Sequence, residues 1–159
     1  LRYIPPFPPV VVLRDFHADN LLWLPERGGI RQVGLLDFQD AVIGSPAYDM
    51  VSFLEDARRT VGAATKAAVM DTYICKTSVD KDAFHQACKL LAVQRNMKII
   101  GIFTRLAVRD GKRHYLTMIP HVWKLLKQDM SHQVLRELQD WLDTYLSADT
   151  RGIPEMGGI

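Results

Sequence analysis

The chain predicts an α+β fold, with a small β-hairpin unit in front and a mainly α-helical bundle behind it. Three observations carry that expectation. Short apolar runs gather in the first 38 residues: VVVL (10–13), LLWL (21–24) and IRQVGLLDF (30–38). A Pro/Gly turn, PERGG (25–29), joins the second run to the third, as in a hairpin. From about residue 46 onward, apolar residues recur at helical spacing instead.

Each element has a local reason. VVVL is continuous, β-branched and apolar, which reads as a short buried strand. Residues 14–20 form a polar loop, and the hairpin 21–38 would bring Asp37 to the same end of a small sheet as that loop. In QDAVIGSP the character changes: Ser45 is a good N-cap and Pro46 suits a first helical turn, so a helix over about 46–59 follows. A second helix is expected over about 61–76. A long one over about 80–109 carries Phe84, Cys88, Leu91, Ile99, Ile102, Phe103 and Leu106, and Gly111 would end it. Residues 113–130 read as a helix bent at Pro120, and Ser131 as the cap of a last helix to about 147. No internal repeat or low-complexity segment is present.

Bulk composition narrows the function classes. The chain has 159 residues, 48% of them hydrophobic, enough for one substantial core. A net charge of +2, with basic residues scattered rather than blocked, argues against a nucleic-acid partner. No apolar run reaches the roughly 18 residues needed to span a membrane, and no signal peptide is visible. Cys75 and Cys88 fit free thiols in a reducing compartment, so a cytoplasmic location is expected. His85, His114, His121 and His132 lack zinc-like spacing with acids or thiols.

The polar loop carries the chemistry. LRDFHADN places Asp15 and Asn20 five residues apart, and Asp37 closes the hairpin that follows. Asp and Asn offer the hard oxygen ligands Mg²⁺ prefers, in sites that take one or two carboxylates plus substrate phosphates. A further carboxylate can accept a proton from a hydroxyl. A loop Asp, an Asn five residues on and an Asp after a hairpin is the arrangement of protein-kinase-type phosphoryl transfer. Taken singly, these residues could equally be turn and cap residues. Asp19 and Asp40 read as solvated carboxylates.

LRDFHADN followed by LLDFQD resembles the aminoglycoside phosphotransferase/choline kinase family of protein-kinase-like small-molecule kinases. That family's loop reads H-G-D-x-H-x-x-N. The resemblance implies that Asp15 is the catalytic aspartate, with Arg14 and His17 beside it in the catalytic loop. It implies that Asn20 and Asp37 hold Mg²⁺ against ATP, the phosphoryl donor. GSPAYDMVSFLED resembles the family's next segment, in which Asp49 braces the loop by accepting backbone N–H bonds. The later VQRNMKIIGIFTRLAVRDGK and YLTMIPHVWKLL resemble a bacterial branch that includes anomeric kinases for N-acetylmuramate and N-acetylglucosamine. The sequence departs from the family in three places: Leu13 stands where His is usual, Arg14 replaces Gly, and Gln39 takes a place often held by an acid.

Those kinases also need a Gly-rich turn over the phosphates and a strand Lys paired with a helix Glu. Neither is found in these residues. The expectation is therefore a protein-kinase-like C-terminal lobe over 10–147, with 1–9 a linker from a missing N-terminal lobe and 148–159 a flexible tail. Such a fragment alone is expected to be weak in ATP binding and turnover. The expected acceptor is a small-molecule hydroxyl on a sugar. Gln94, Arg95 and Asn96, which interrupt an apolar helix, are candidate acceptor contacts, and Trp123 or Tyr115 could stack on a sugar or pack in the core. Alternatives are a catalytically silent binding module, an aminoglycoside or choline-like acceptor, and a metal-dependent hydrolase. Oligomeric state is not legible.

Overall fold

A computed structural model describes residues 3–154 of the chain. The architecture is α+β: four three-residue strands and five α-helices joined by short 3-10 turns. The strands are β1 (Val10–Val12), β2 (Leu21–Trp23), β3 (Val33–Leu35) and β4 (Val42–Gly44). The helices are α1 (Ala47–Leu54), α2 (Ala63–Thr77), α3 (Lys81–Asp110), α4 (Ile119–Asp129) and α5 (Arg136–Tyr145). Two compact units divide the chain within α3, between Cys88 and Lys89.

The first unit, residues 4–88, holds all four strands. They form two separate two-stranded antiparallel sheets rather than one. The expected hairpin is present as β2–β3, with Leu21 opposite Leu35 and Trp23 opposite Val33. It is shorter than its apolar run, because Gly29–Gln32 turns as a 3-10 helix before β3 begins. The partner of β1 is β4, in register Val10–Gly44, Val11–Ile43 and Val12–Val42. The strand in QDAVIGSP was not foreseen, since three apolar residues beside Gly and Pro give little periodic signal.

The expectation that VVVL is a buried strand needs correction. Only Val12 is buried; Val11 is 63% and Trp23 on the hairpin 66% exposed. A two-stranded ribbon has two faces, and its own unit covers at most one of them. Burial lies instead in α1 and the start of α3, through Ala47, Val51, Leu54, Phe84 and Ala87. Phe84 meets Phe7 edge-on at 5.6 Å between ring centroids and stacks on Tyr73 at 4.9 Å.

Helix α1 stops at Leu54, five residues short of its expected end. The cause is local: the Asp56 carboxylate accepts the Arg58 N–H at 2.9 Å, offering the backbone an alternative to another helical turn. Helix α3 begins where Asp80 caps the Ala83 N–H at 2.7 Å. It ends as the sequence suggests. Gly111 takes φ +67°, and the Lys112 N–H reaches back to the Leu106 carbonyl at 3.1 Å, the closure of a left-handed helix end.

The second unit contains the rest of α3 with α4 and α5. Its core is Val93, Leu126, Met130, Leu135 and Leu142, with Leu90, Ile100, Trp123 and Leu138 packed against it. The expected bent helix over 113–130 is a 3-10 run over Arg113–Met118 followed by α4, whose first turn contains Pro120. There Pro costs no hydrogen bond. Ser131 does not cap α5; its hydroxyl donates to the Gln128 carbonyl, and His132 accepts the Val134 N–H ahead of the helix. Lys89 pairs with the buried carboxylate of Asp129 at 2.6 Å. In the segment expected as a flexible tail, Ala148–Thr150 forms a 3-10 turn, and Arg151 bonds the Leu146 carbonyl and the Asp143 carboxylate. The remaining tail, 155–159, and linker residues 1 and 2 lie outside the described residues.

Candidate active site

The loop between β1 and β2 begins with a sharp reversal. The Asp15 N–H donates to the Leu13 carbonyl at 2.9 Å, closing a three-residue turn with Arg14 at its centre. Arg14 holds φ +69°, a conformation that suits glycine and costs a side-chain-bearing residue. This explains why the H-G-D pattern has Gly there, and it makes Arg14 a strained substitute. The turn leaves Asp15 exposed. Its carboxylate makes no hydrogen bond or ion pair with the described residues, so the backbone alone places it.

The rest of the loop is well tied. The His17 N–H donates to the Asp15 carbonyl at 3.1 Å and the Asn20 N–H to the His17 carbonyl at 2.9 Å. The Asn20 side-chain amide donates to the Asp15 carbonyl at 2.9 Å and faces His17 Nε2 at 3.3 Å. With its nitrogen committed inward, Asn20 keeps its Oδ1 as the atom able to bind a cation. When the amide donates to Nε2, the ring proton of His17 sits on Nδ1, which is buried without a hydrogen-bond partner. Burial, aided by the positive charge of Arg58, lowers the His17 pKa below its ordinary 6.5. A neutral, buried ring bonded to Asn20 fits a loop-orienting role better than proton transfer.

The hairpin delivers Asp37. Its last ladder bond runs from the Leu36 N–H to the Asn20 carbonyl at 2.9 Å, so Asp37 is the next residue beyond a direct link to Asn20. Asp37 also has positive φ, +56°, and is exposed. Strained backbone beside one candidate acid, at Arg14, and on another, at Asp37, is the kind of local strain that functional loops hold. Gln39 donates its side-chain amide to Asp37 Oδ1 at 2.6 Å. The residue that stands in place of a second acid thus steadies the first one. An Asn oxygen and one carboxylate suit Mg²⁺, which keeps water and phosphate as its other ligands. Among the described residues there is no cluster of three His, Cys, Asp or Glu side chains able to hold a metal.

Helix α1 grips the start of the loop. Asp49 accepts the Leu13 N–H at 2.7 Å and the Arg14 N–H at 3.0 Å, and the Ser52 hydroxyl donates to the Arg14 carbonyl at 3.2 Å. Partial burial raises the Asp49 pKa above its ordinary value, against the opposing pull of its two backbone bonds. Phe16 packs on Phe53 at 5.4 Å between centroids.

Several partners were not legible beforehand. Ser52, Asp56 and Arg59 carried no motif signal. Asp19, expected to be solvated, forms an ion pair with Arg59. Gln94, Arg95 and Asn96 lie on the part of α3 that belongs to the second unit. Gln94 is exposed, whereas Arg95 is 7% and Asn96 0% exposed. Tyr115 packs on Phe103 at 4.9 Å and Trp123 on the second unit's core.

With this geometry in place, comparison with known proteins is informative. The profile of the phosphotransferase enzyme family matches residues 1–92, which include the loop, both sheets, α1 and α2. The chain is 45% identical over 139 residues to the N-acetylmuramate/N-acetylglucosamine kinase of Caulobacter vibrioides, covering 87% of this chain and 38% of that protein. Similar kinases of the same name occur in Pseudomonas putida (34% over 128 residues, 76% and 36% of the two chains) and Neisseria meningitidis serogroup B (35% over 128 residues, 76% and 37%). The chain therefore spans well under half the length of these curated relatives. No described helix is long and apolar enough to cross a membrane. The match over more than half of its residues settles its kinship: the chain belongs to the phosphotransferase enzyme family.

Proposed function

We propose that this chain carries the phosphoryl-transfer loop of an ATP-dependent sugar kinase, with residues 10–147 as a protein-kinase-like C-terminal lobe. The acceptor would be the anomeric hydroxyl of an amino sugar of the N-acetylmuramate or N-acetylglucosamine type. The observation that carries the reading is the exposed, unpaired carboxylate of Asp15, presented by a turn that Asn20 and Asp49 both stabilise. The similarity to the N-acetylmuramate/N-acetylglucosamine kinases supports the choice of acceptor.

In this mechanism Asp15 orients the acceptor hydroxyl and takes its proton as the oxygen attacks the γ-phosphorus, while the bond from that phosphorus to the β,γ-bridging oxygen breaks and ADP leaves. Asn20 Oδ1 and the Asp37 carboxylate would hold Mg²⁺, which when bound neutralises charge on the nucleotide phosphates. Gln39 keeps the Asp37 carboxylate in one orientation. His17 and Asn20 hold the loop backbone behind Asp15. Arg14 centres the turn that projects Asp15 outward. Asp49 takes no part in proton transfer and acts as a backbone brace.

The test is acceptor-dependent transfer of labelled phosphate from ATP to amino sugars by the protein that carries this chain. Asp15→Asn should lower kcat by about 10²–10⁴-fold, the usual contribution of a general base, with an unchanged circular dichroism spectrum. Near-normal turnover in that variant would refute the assignment of Asp15.

A further inference from the structure

We propose that Arg59 is a positioning residue for the reaction, clamping the far end of the loop through Asp19. The proposal rests on reading that loop as the site of phosphoryl transfer. It begins with Asp56, which is 1% exposed just beyond α1. A carboxylate buried that deeply needs charge partners. Two are at hand: Arg59 Nε lies 3.4 Å from Asp56 Oδ2, and Arg58 Nη1 lies 3.8 Å from Asp56 Oδ1. The Arg58 backbone N–H adds a bond at 2.9 Å.

Arg59 is therefore drawn toward Asp56 by charge, in an ion pair without hydrogen-bond geometry, and its Nη2 reaches out to pair with Asp19. Asp19 lies between His17 and Asn20, at the end of the loop opposite the Asp49 brace. An exposed ion pair alone would hold little, because ordering two long side chains offsets its attraction. Here the same guanidinium also faces a buried carboxylate at ion-pair distance, 3.4 Å, and its planar fork can serve two partners at once.

The consequence falls on Asp15. Its carboxylate has no hydrogen-bond or ion-pair partner among the described residues, so its direction follows the loop backbone. That backbone is held at Leu13 and Arg14 by Asp49 and Ser52, and at Asp19 by Arg59. All three anchors come from one short stretch, residues 49–59. The loop is thus a span fixed at both ends by a single segment, with Asp15 and His17 between the fixings.

Asp19→Asn is the clean probe, because it releases the loop and leaves the Asp56–Arg59 contact alone. Arg59→Gln and the double variant complete a cycle. In the 159-residue chain, hydrogen exchange at the Asp15, His17 and Asn20 amides should quicken about threefold in Asp19→Asn, as loss of one weak pair allows. Amides of α3 should not change. In the protein that carries this chain, kcat should fall about tenfold in each single variant, the scale of a small misplacement of a reacting group. KM for nucleotide and acceptor should stay within about twofold. The double variant should be no slower than the slower single variant. Unchanged loop exchange in Asp19→Asn, or kcat losses that multiply in the double variant, would overturn the proposal. If the wild-type protein consumes no ATP with any amino sugar, the kinase reading fails, and the exchange experiment still decides whether Arg59 clamps the loop.

Discussion

Replacing Asp49 with Ala removes the acceptor of two backbone N–H groups at once. Those bonds, at 2.7 Å from Leu13 and 3.0 Å from Arg14, are partly buried. Hydrogen bonds to a charged group contribute about 1.5–3 kcal/mol each, and water can reach this site in part, so the low end applies. Two bonds at that end give about 3 kcal/mol, and partial rehydration of the freed N–H groups brings the expected loss to about 2–3 kcal/mol. Asp49→Asn keeps one oxygen acceptor and should lose about half as much, about 1–1.5 kcal/mol. With a urea slope of about 2 kcal/mol/M, the unfolding midpoint should drop by about 1–1.5 M for Ala and about 0.5–0.7 M for Asn, at unchanged slope. The linkage adds a sign. The Asp49 pKa is raised, so the stability tied to its carboxyl is fully present below the ordinary value of 3.8 and declines as pH rises through the folded value. The gap between wild type and Asp49→Asn should therefore be wider in acid than at neutral pH. An Ala variant within about 0.5 kcal/mol of wild type, the ordinary range for a surface change, would refute the bracing role. A gap that widens toward neutral pH would instead show that the two backbone bonds to the charged carboxylate outweigh its desolvation.

Two other outcomes follow from the loop's strain and burial. Arg14→Gly should stabilise the fold by about 1 kcal/mol, because φ +69° costs nothing for glycine; a loss of stability on thermal or urea unfolding would show that the Arg14 side chain contributes more than its backbone costs. His17 has a lowered pKa, so the stability it contributes is present above about 6.5 and is lost as pH falls through its folded value. Urea midpoints measured from pH 7.5 down to 5.5 should fall less in His17→Gln than in wild type, and parallel curves would exclude His17 as the acid-sensitive group.

Much of this site is written in local chemistry. Asp15, Asn20 and Asp37 stand at spacings that depend only on a loop length and a hairpin, and both are short-range features. Gly111 and Asp80 end and begin α3 by backbone conformation and a single cap, which neighbouring residues decide. Such signals survive in a sequence because the interacting groups are only a few residues apart.

What the sequence left open involves partners far apart along the chain. The union of β1 with β4 joins residues thirty or more positions apart through backbone groups that every residue carries. The Arg59–Asp19 pair spans 40 residues, and nothing in the local pattern separates that arginine from other surface cations. The burial of Asp56 contradicts its residue type and follows only from the fold. By itself, the sequence marked the groups proposed here for phosphoryl chemistry and where the chain turns to present them. Only the tertiary structure decided which groups hold Asp15 still, because that hold comes from backbone N–H groups, a buried carboxylate and a long-range ion pair, and none of these has a sequence period.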